Sequence, residues 1–575
     1  MKKEWVLLDA DAEKVNAITK KLGISEIVAR VLVNRGIDDV ESASLFLQAK
    51  LRSLPDPGLL KNAEKASKLI VDAVKAHKRI VIYGDYDVDG ITSTVLMYQF
   101  LKVLGADVRY YIPHRVEDGY GLNTYTLEEI ATEGGNLVIT VDCGITSIEE
   151  VKYARQLGLD IIIADHHHIG EEIPDAVAVI NPHFEDCPYP FKEMAAVGVA
   201  FSLLMVFKRA VEKDGFFRGT LPNLKEYMDI VALGTVADMV PLVGTNRIFV
   251  KHGLQQMREN KRPGLVALAH VCGLQSLDEV TPAVISYKMA PRLNAAGRIG
   301  NAVKGVDLLL ASNYEQALKT AEDLNLTNEY RQRLEAEIFE QAVRMVEEHE
   351  MHKRHTIVLY SHEWHPGVIG IVASRLVERY YKPTIMISVE GGVGRGSARS
   401  IQSLHIYHVL EQLNELLVQY GGHKYAAGIT ILEANIPTFV RRFEEIVSTT
   451  LTPDDYRNIM EIDSILELAR LTPELVVALL QLEPFGMNNA EPNFLATNLT
   501  IKKQNIINRS HLQWRLQCDG VPIQFNAIGF GLAGERSIPT VGDRVDIVYF
   551  PRVNFFNGNV SLQLYVKDYR PAESQ

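Results

Sequence analysis

The sequence predicts a multidomain α/β protein. A mostly parallel sheet comes first, followed by a long connecting helix, a smaller α/β unit and a C-terminal β-barrel of the OB type. Three observations carry this reading. Strand-length apolar runs alternate with helical periodicity between residues 80 and 164. Neither Gly nor Pro occurs between Gly305 and Pro366. The final stretch breaks into short β-type runs such as Leu512–Leu516 and Val545–Tyr549. At 575 residues the chain is too long for one core.

Taken in order, residues 1–55 read as helical, with Ile24, Ile27, Val28, Leu32 and Val33 at helical spacings, and stop at Pro55-Asp56-Pro57-Gly58. A first domain is expected over 56–305. Its strand at Ile80–Tyr83 leads into a helix over Ile91–Leu104 closed by Gly105, then a strand at Val108–Ile112. Strands at 137–141 and 161–164 follow, with a helix over Ser147–Leu157 between them, and the pattern turns helical from about residue 190. Within 306–352, Leu334, Ile338, Ala342 and Met345 form the stripe of a long amphipathic helix joining two lobes. A second α/β domain is expected over 353–450, beginning at Thr356–Tyr360, and the barrel over 451–575.

Composition narrows the function classes. With 47% hydrophobic and 23% charged residues the chain is ordinary for a globular protein. Met1-Lys2-Lys3-Glu4-Trp5 leads into polar residues without a signal-peptide pattern, and no apolar run is long enough to span a bilayer. The four cysteines, Cys143, Cys187, Cys272 and Cys518, form no C-x-x-C pair, which points to a reducing cytoplasm and away from structural zinc. The net charge of −12 conceals a basic end: residues 501–570 hold nine Lys or Arg against five Asp or Glu. Local basic surface of this kind sets phosphate attraction.

Three strand-like runs end in carboxylate or imidazole: Tyr83 runs into Gly84-Asp85-Tyr86-Asp87-Val88-Asp89-Gly90, Val141 into Asp142-Cys143-Gly144, and Ala164 into Asp165-His166-His167-His168. In an open parallel sheet such ends share one edge, where ligands bind. Carboxylates with neutral imidazole suit Mn²⁺ or Mg²⁺, which is the pattern of a metal-dependent phosphoester hydrolase. The first motif mimics an EF-hand loop, but the twelfth position from Asp85 is Leu96 instead of Glu, and a strand precedes it. A phosphatase Asp-x-Asp nucleophile would leave the histidines unexplained. Asp165 is expected to orient a ligand imidazole. Asp238, in Gly234-Thr235-Val236-Ala237-Asp238, is by itself as compatible with a helix cap. In the barrel, Trp514, Phe525, Tyr549, Phe555 and Phe556 interleave with Arg515, Arg544 and Arg552, a pattern that suits single-strand binding, about one in three of the rings meeting DNA.

Together the four motifs, with Pro291–Arg298 and Gly421–Gly428, resemble the DHH phosphoesterase superfamily and its bacterial single-strand exonuclease branch, RecJ. The resemblance covers residues 45–575 and marks 56–305 as a DHH domain and 353–450 as a DHHA1 domain. It implies a metal-dependent 5′→3′ exonuclease on single-stranded DNA in recombination and repair, with two Mn²⁺ or Mg²⁺ ions; the alternative is a DHH phosphodiesterase acting on short oligoribonucleotides or cyclic dinucleotides. It implies metal ligands Asp87, Asp89, Asp142, His166 and Asp238, with His167, Asp165 and Asp85 in catalysis. Arg115, Ser397 and Arg399 would take the 5′-phosphate, and Arg298 and His423 further phosphates. A guanidinium fork matches phosphate, and the glycines of Gly394-Arg395-Gly396-Ser397 would let backbone approach it. The resemblance also implies single-strand-binding protein and a repair helicase as partners, a monomer and a cytoplasmic location. One departure stands out: Asn488-Asn489-Ala490 replaces an expected Gly-Asn-Pro.

Overall fold

The computed structural model describes residues 3–572 apart from 116, 117, 120, 521, 535–537, 557 and 558, with backbone alone at 554–556, 559 and 560. The first sheet is five-stranded and wholly parallel, in the spatial order Val108–Tyr111, Arg79–Tyr83, Gly135–Val141, Asp160–Ala164, Ala178–Ile180. Its central strands are apolar on both faces because helices cover both sides. The helix after the first strand runs Val88–Val103, three residues earlier than the apolar periodicity indicates, because the Asp87 side chain caps it. Gly105 follows at φ 76°, and a 3₁₀ turn at Leu224–Tyr227 leads into the helix Met228–Ala237.

The connecting helix spans Tyr314–Glu348 and has two packing faces. Its first half buries Ala317, Ala321 and Leu324 against the helical part of the first domain. Its second half buries Ile338, Ala342 and Val346 against the second domain, with Leu334 and Met345 only partly covered. Between them lies a polar node: Arg331 donates to Asn328 (2.8 Å) and Glu335, and Arg375 of the second domain reaches the same Glu335 at 3.1 Å. The second domain is a mixed five-stranded sheet ordered Leu417–Gly422, Ala426–Leu432, Val393–Arg399, Thr384–Glu390, Ile357–Ser361.

The C-terminal barrel closes on five strands: Phe494–Ile507 pairs with His511–Gln517 on one side and with Arg544–Phe556 on the other, and Gln524–Gly529 and Asn559–Pro571 complete the ring. Trp514, Phe525 and Tyr549 are buried in its core, which corrects their reading as DNA platforms. Alternation places them inside: Leu512, Trp514 and Leu516 face inward while Gln513 and Arg515 face out. The side chains of Phe555 and Phe556 lie outside the described residues.

The segment at the start of the chain is not purely helical. Strand Glu4–Leu7 pairs in parallel with Ile459–Ile462, and three helices follow. Those helices share one apolar core with the barrel: Val15, Ile18, Val28 and Leu32 join Leu466, Leu479, Trp514 and Tyr549. Arg247 ties this unit to the first domain. It is buried, stacks 3.8 Å from the Phe46 ring, and donates to the carbonyls of Phe46, Gln481, Leu482 and Glu483. At the departure over 488–490, Asn488 takes the left-handed φ of 54° open to glycine, and buried Asn489 donates to Leu482 and Pro484 while accepting from Arg35.

Candidate metal centre and anion cavity

The carboxyl edge of the first sheet gathers the motif residues. Asp87 Oδ1 accepts from the amides of Asp89 (2.9 Å) and Gly90 (3.1 Å), which fixes the turn. Gly90 is required because a Cβ there would lie 2.5 Å from the Asp85 backbone. Asp89 is held from below by the first amides of helix Ala196–Asp214: Ala196 N–H donates to its Oδ2 at 2.6 Å and Val197 N–H to its Oδ1 at 2.9 Å. Asp142 sits at φ 65°, a conformation that Asp tolerates better than most side chains. Asp165 accepts from the amides of Ile145 (3.0 Å), His166 (2.7 Å) and His167 (3.1 Å), and Asn181 Nδ2 donates to the His167 carbonyl at 2.8 Å.

His166 Nε2 lies 3.3 Å from Asp142, 3.7 Å from Asp238 and 4.0 Å from Asp89. Candidate ligand atoms converge in three overlapping groups, each within 4.8 Å: Asp89, His166 and Asp238; Asp142, His166 and His167; Asp85, Asp87 and Asp142. Among the described residues, the buried His166 Nε2, Asp85 Oδ1 and Asp238 Oδ2 have no hydrogen-bond partner. Burying this much like charge is unfavourable without a cation. Burial pushes Asp89 up to about 8, with help from Asp238, and Asp238 up to about 8, with help from Asp87. Burial and carboxylate neighbours also raise Asp85 and Asp142 far above the ordinary range. Burial lowers His166, so its ring is neutral and able to donate a lone pair. The donor set, oxygens with a neutral imidazole, matches Mn²⁺ or Mg²⁺.

His167 behaves differently. Burial opposes its charge, but Asp165, whose Oδ1 is 2.7 Å from Nδ1, pushes the ring up to about 9. Burial would raise Asp165, yet the same pair holds it well below the usual carboxylate range. Asp165 therefore orients His167 and presents its ring as a cation.

Across the cleft a cavity of about 370 Å³ is lined by Arg115, Arg298 and Arg395 with Ser397 and Arg399. Arg115 lies 5.0 Å over the Tyr86 ring. Arg399 is anchored by Ser374 Oγ (3.1 Å), Ser397 Oγ (3.0 Å) and the Ala398 carbonyl (2.8 Å). None of these arginines pairs with a carboxylate among the described residues. Burial and then Arg115 and Arg399 pull Arg298 down to about 10, the sign of a site short of an anion. Gly396 lines the cavity, and a Cβ on Gly394 or Gly396 would strike Ile387, Ile429 or Ile431 in the sheet. The glycines that open the cavity are Gly367 and Gly370, where a Cβ would lie 2.3 Å from the Arg298 carbonyl and 2.8 Å from Ser397 Oγ. Sequence reading misses them, although Pro366-Gly367-Val368-Ile369-Gly370 at the start of helix Ile369–Tyr380 is a visible signal. His423 stands at the rim, its ring 5.1 Å from that of His168, which in turn is 4.8 Å from His183.

No helix among the described residues is long and apolar enough to cross a membrane. Family models match in three places: the DHH family N-terminal domain over residues 79–235, the DHHA1 domain over 354–449 and the RecJ OB domain over 462–568. The single-stranded-DNA-specific exonuclease RecJ of Bacillus subtilis is 37% identical over 580 aligned residues, covering all of this chain and 72% of that protein. The crystal structure of Thermus thermophilus RecJ with Mn²⁺ matches at a TM-score of 0.84 and 30% identity, covering 99% of this chain and 80% of that one. Its Mg²⁺ complex matches at 0.76 and 28% identity, covering 99% and 79%. With three matched domains and a 37% identical alignment that runs its whole length, the chain belongs to the RecJ family.

Proposed function

We propose that the metal centre and the arginine cavity act as one machine, a 5′→3′ exonuclease that hydrolyses phosphodiester bonds of single-stranded DNA. The observation that carries this is the pairing of two unlike sites across one cleft: a buried acidic cluster on the first sheet and a cationic cavity built by both lobes. When bound, two divalent ions supply neutralisation of the phosphodiester oxygens and activation of water. Asp87, Asp89, Asp142, His166 and Asp238 hold them, with Asp85 beside them. His167, kept charged by Asp165, donates to the scissile phosphate. Arg115, Arg298, Ser397 and Arg399 hold the terminal 5′-phosphate, which sets the bond that meets the metals, and His423 steadies a phosphate at the rim.

A metal cluster alone reads no strand sense, so polarity rests on the cavity. On this reading the boundaries expected from the sequence, 56–305, 306–352, 353–450 and 451–575, are working divisions, and the segment at 1–55 belongs with the barrel. The family resemblance supports a cytoplasmic monomer working beside a single-strand-binding protein and a repair helicase. Digestion of 5′- and 3′-labelled single strands with Mn²⁺, with Mg²⁺ or with chelator tests the proposal. Release of 5′ label first, only with metal, is expected; release from the 3′ end or in chelator refutes it.

A further inference from the structure

The helix that carries Arg298 into the arginine cavity also touches the metal-binding loop. The chain is helical without a break from Pro282 to Ile299: one α turn, then the π turn Ile285–Met289, then the helix Ala290–Ile299. Pro291 brings no N–H to the ladder, and the Ala290 amide reaches back five residues to the Ile285 carbonyl. The extra residue in that turn shifts the face that follows by one position, a device that proteins use mostly at functional sites.

On the face so presented, Asn294 Oδ1 accepts from the Val88 amide at 3.1 Å. Val88 stands between Asp87 and Asp89, and its amide is the first of the helix Val88–Val103. The next two amides are taken by Asp87 Oδ1, so Asn294 supplies the one acceptor that the loop cannot supply itself. Gly297, on the same face, packs so closely that a Cβ would lie 2.2 Å from the Tyr86 carbonyl oxygen. Arg298 is one turn beyond Asn294, about 6 Å along the axis. It lines the cavity and donates to the Gly367 carbonyl at 3.3 Å. A Cβ on Gly367 would in turn lie 2.3 Å from the Arg298 carbonyl. One turn of helix is thereby fixed to the metal loop at Asn294 and Gly297, and to the second lobe at Arg298.

We propose that Asn294 is a positioning residue. By tying the metal loop to the turn that bears Arg298, it fixes the distance from the terminal-phosphate cavity to the ions, and with it which phosphodiester bond is cut. This rests on the nuclease reading above. The test is product length and steady-state kinetics on a 5′-labelled, 5′-phosphorylated single strand, with the full chain in saturating Mn²⁺. Wild type releases the label in a product of one length. Asn294→Ala removes the acceptor with a residue that favours helix, so the turn itself persists. It lowers kcat roughly 10- to 100-fold, as the loss of an outer-shell partner does. KM stays near its wild-type value, because the cavity still holds the terminal phosphate, and the label spreads over more than one product length. Asn294→Asp keeps an oxygen at the Val88 amide and restores the single length. A purely structural role would lower the folded fraction and leave product length unchanged. One product length from Asn294→Ala, or a spread that Asn294→Asp fails to correct, therefore overturns the proposal. Failure of the nuclease reading shows separately, as wild-type protein that releases no 5′ label in Mn²⁺.

Discussion

Arg399→Ala isolates the contribution of the cavity to polarity. The guanidinium is oriented before any ligand arrives: Nε and Nη1 are occupied by Ser374, Ser397 and the Ala398 carbonyl, and Nη2 lies against Gly370 at the cavity wall. Because the side chain is already ordered, little rotamer entropy is lost when phosphate binds. A hydrogen bond to a charged group contributes about 1.5–3 kcal/mol. Losing it lowers kcat/KM for 5′-phosphorylated strands by roughly 10- to 150-fold. A 5′-hydroxyl strand has no terminal dianion to lose, so its rate changes far less. The assay is the ratio of kcat/KM on the two substrates in saturating Mn²⁺, for wild type and variant, with metal content measured in both. Arg399→Lys, which keeps the charge but not the fork, gives an intermediate ratio. If Arg399→Ala leaves the ratio at its wild-type value, the terminal phosphate is bound elsewhere.

Asp142→Asn preserves the left-handed turn while removing a carboxylate shared by two ligand groups, and lowers Mn²⁺-dependent turnover by more than the roughly 10- to 100-fold typical of outer-shell partners. Strand binding in chelator survives, and near-normal turnover in saturating Mn²⁺ would displace the metal site. Asp89 and Asp238, both pushed up to about 8, bind protons in the folded chain that the unfolded chain releases near its ordinary carboxylate range. Their contribution is complete below the unfolded value and is lost as pH rises through about 8, by up to about 1.4 kcal/mol per unit for each group still protonated. In chelator the Tm therefore falls as pH rises from above the ordinary carboxylate range to about 8 and levels off beyond it, and saturating Mn²⁺ flattens the fall; equal slopes with and without metal would contradict the assignment. A chain cut after residue 450 uncovers Ile18, Val28 and Leu32, at about 1.5–3 kcal/mol for each side chain. It aggregates on gel filtration, whereas a fragment also lacking residues 1–50 does not; matching behaviour of the two would separate the N-terminal helices from the barrel.

The metal cluster is legible in the sequence because its logic is local. Each ligand follows an apolar run, and a parallel sheet forces such run ends to one edge, so the order of residues alone groups Asp87, Asp142 and His166. The helix start is displaced by three residues because the stripe begins at Ile91 while the cap is Asp87. The cavity is not legible physically. Arg115, Arg298 and Arg399 meet only because the connecting helix presents one face to each lobe, and family resemblance alone puts them together. The barrel aromatics mislead when composition is weighed above pattern: period-two alternation across Leu512, Trp514 and Leu516 already places the ring inside. The pairing of the first helices with the barrel leaves no sequence signal, since an amphipathic stripe does not name its partner.

That shared core imposes a schedule on synthesis. Trp5 donates to Asp568 at 2.9 Å and stacks beneath Arg570, so the first strand is completed by residues made 563 positions later. Ile18, Val28 and Leu32 leave the ribosome well before their apolar partners at Leu466, Trp514 and Tyr549, which follow about 430 to 530 residues later. At about 5–20 residues per second the wait is roughly 20–110 s, long against the microseconds in which short helices form. Throughout that interval the nascent N-terminus is a set of helices with uncovered apolar faces. Those faces stay uncovered until the barrel strands that share their core have been made.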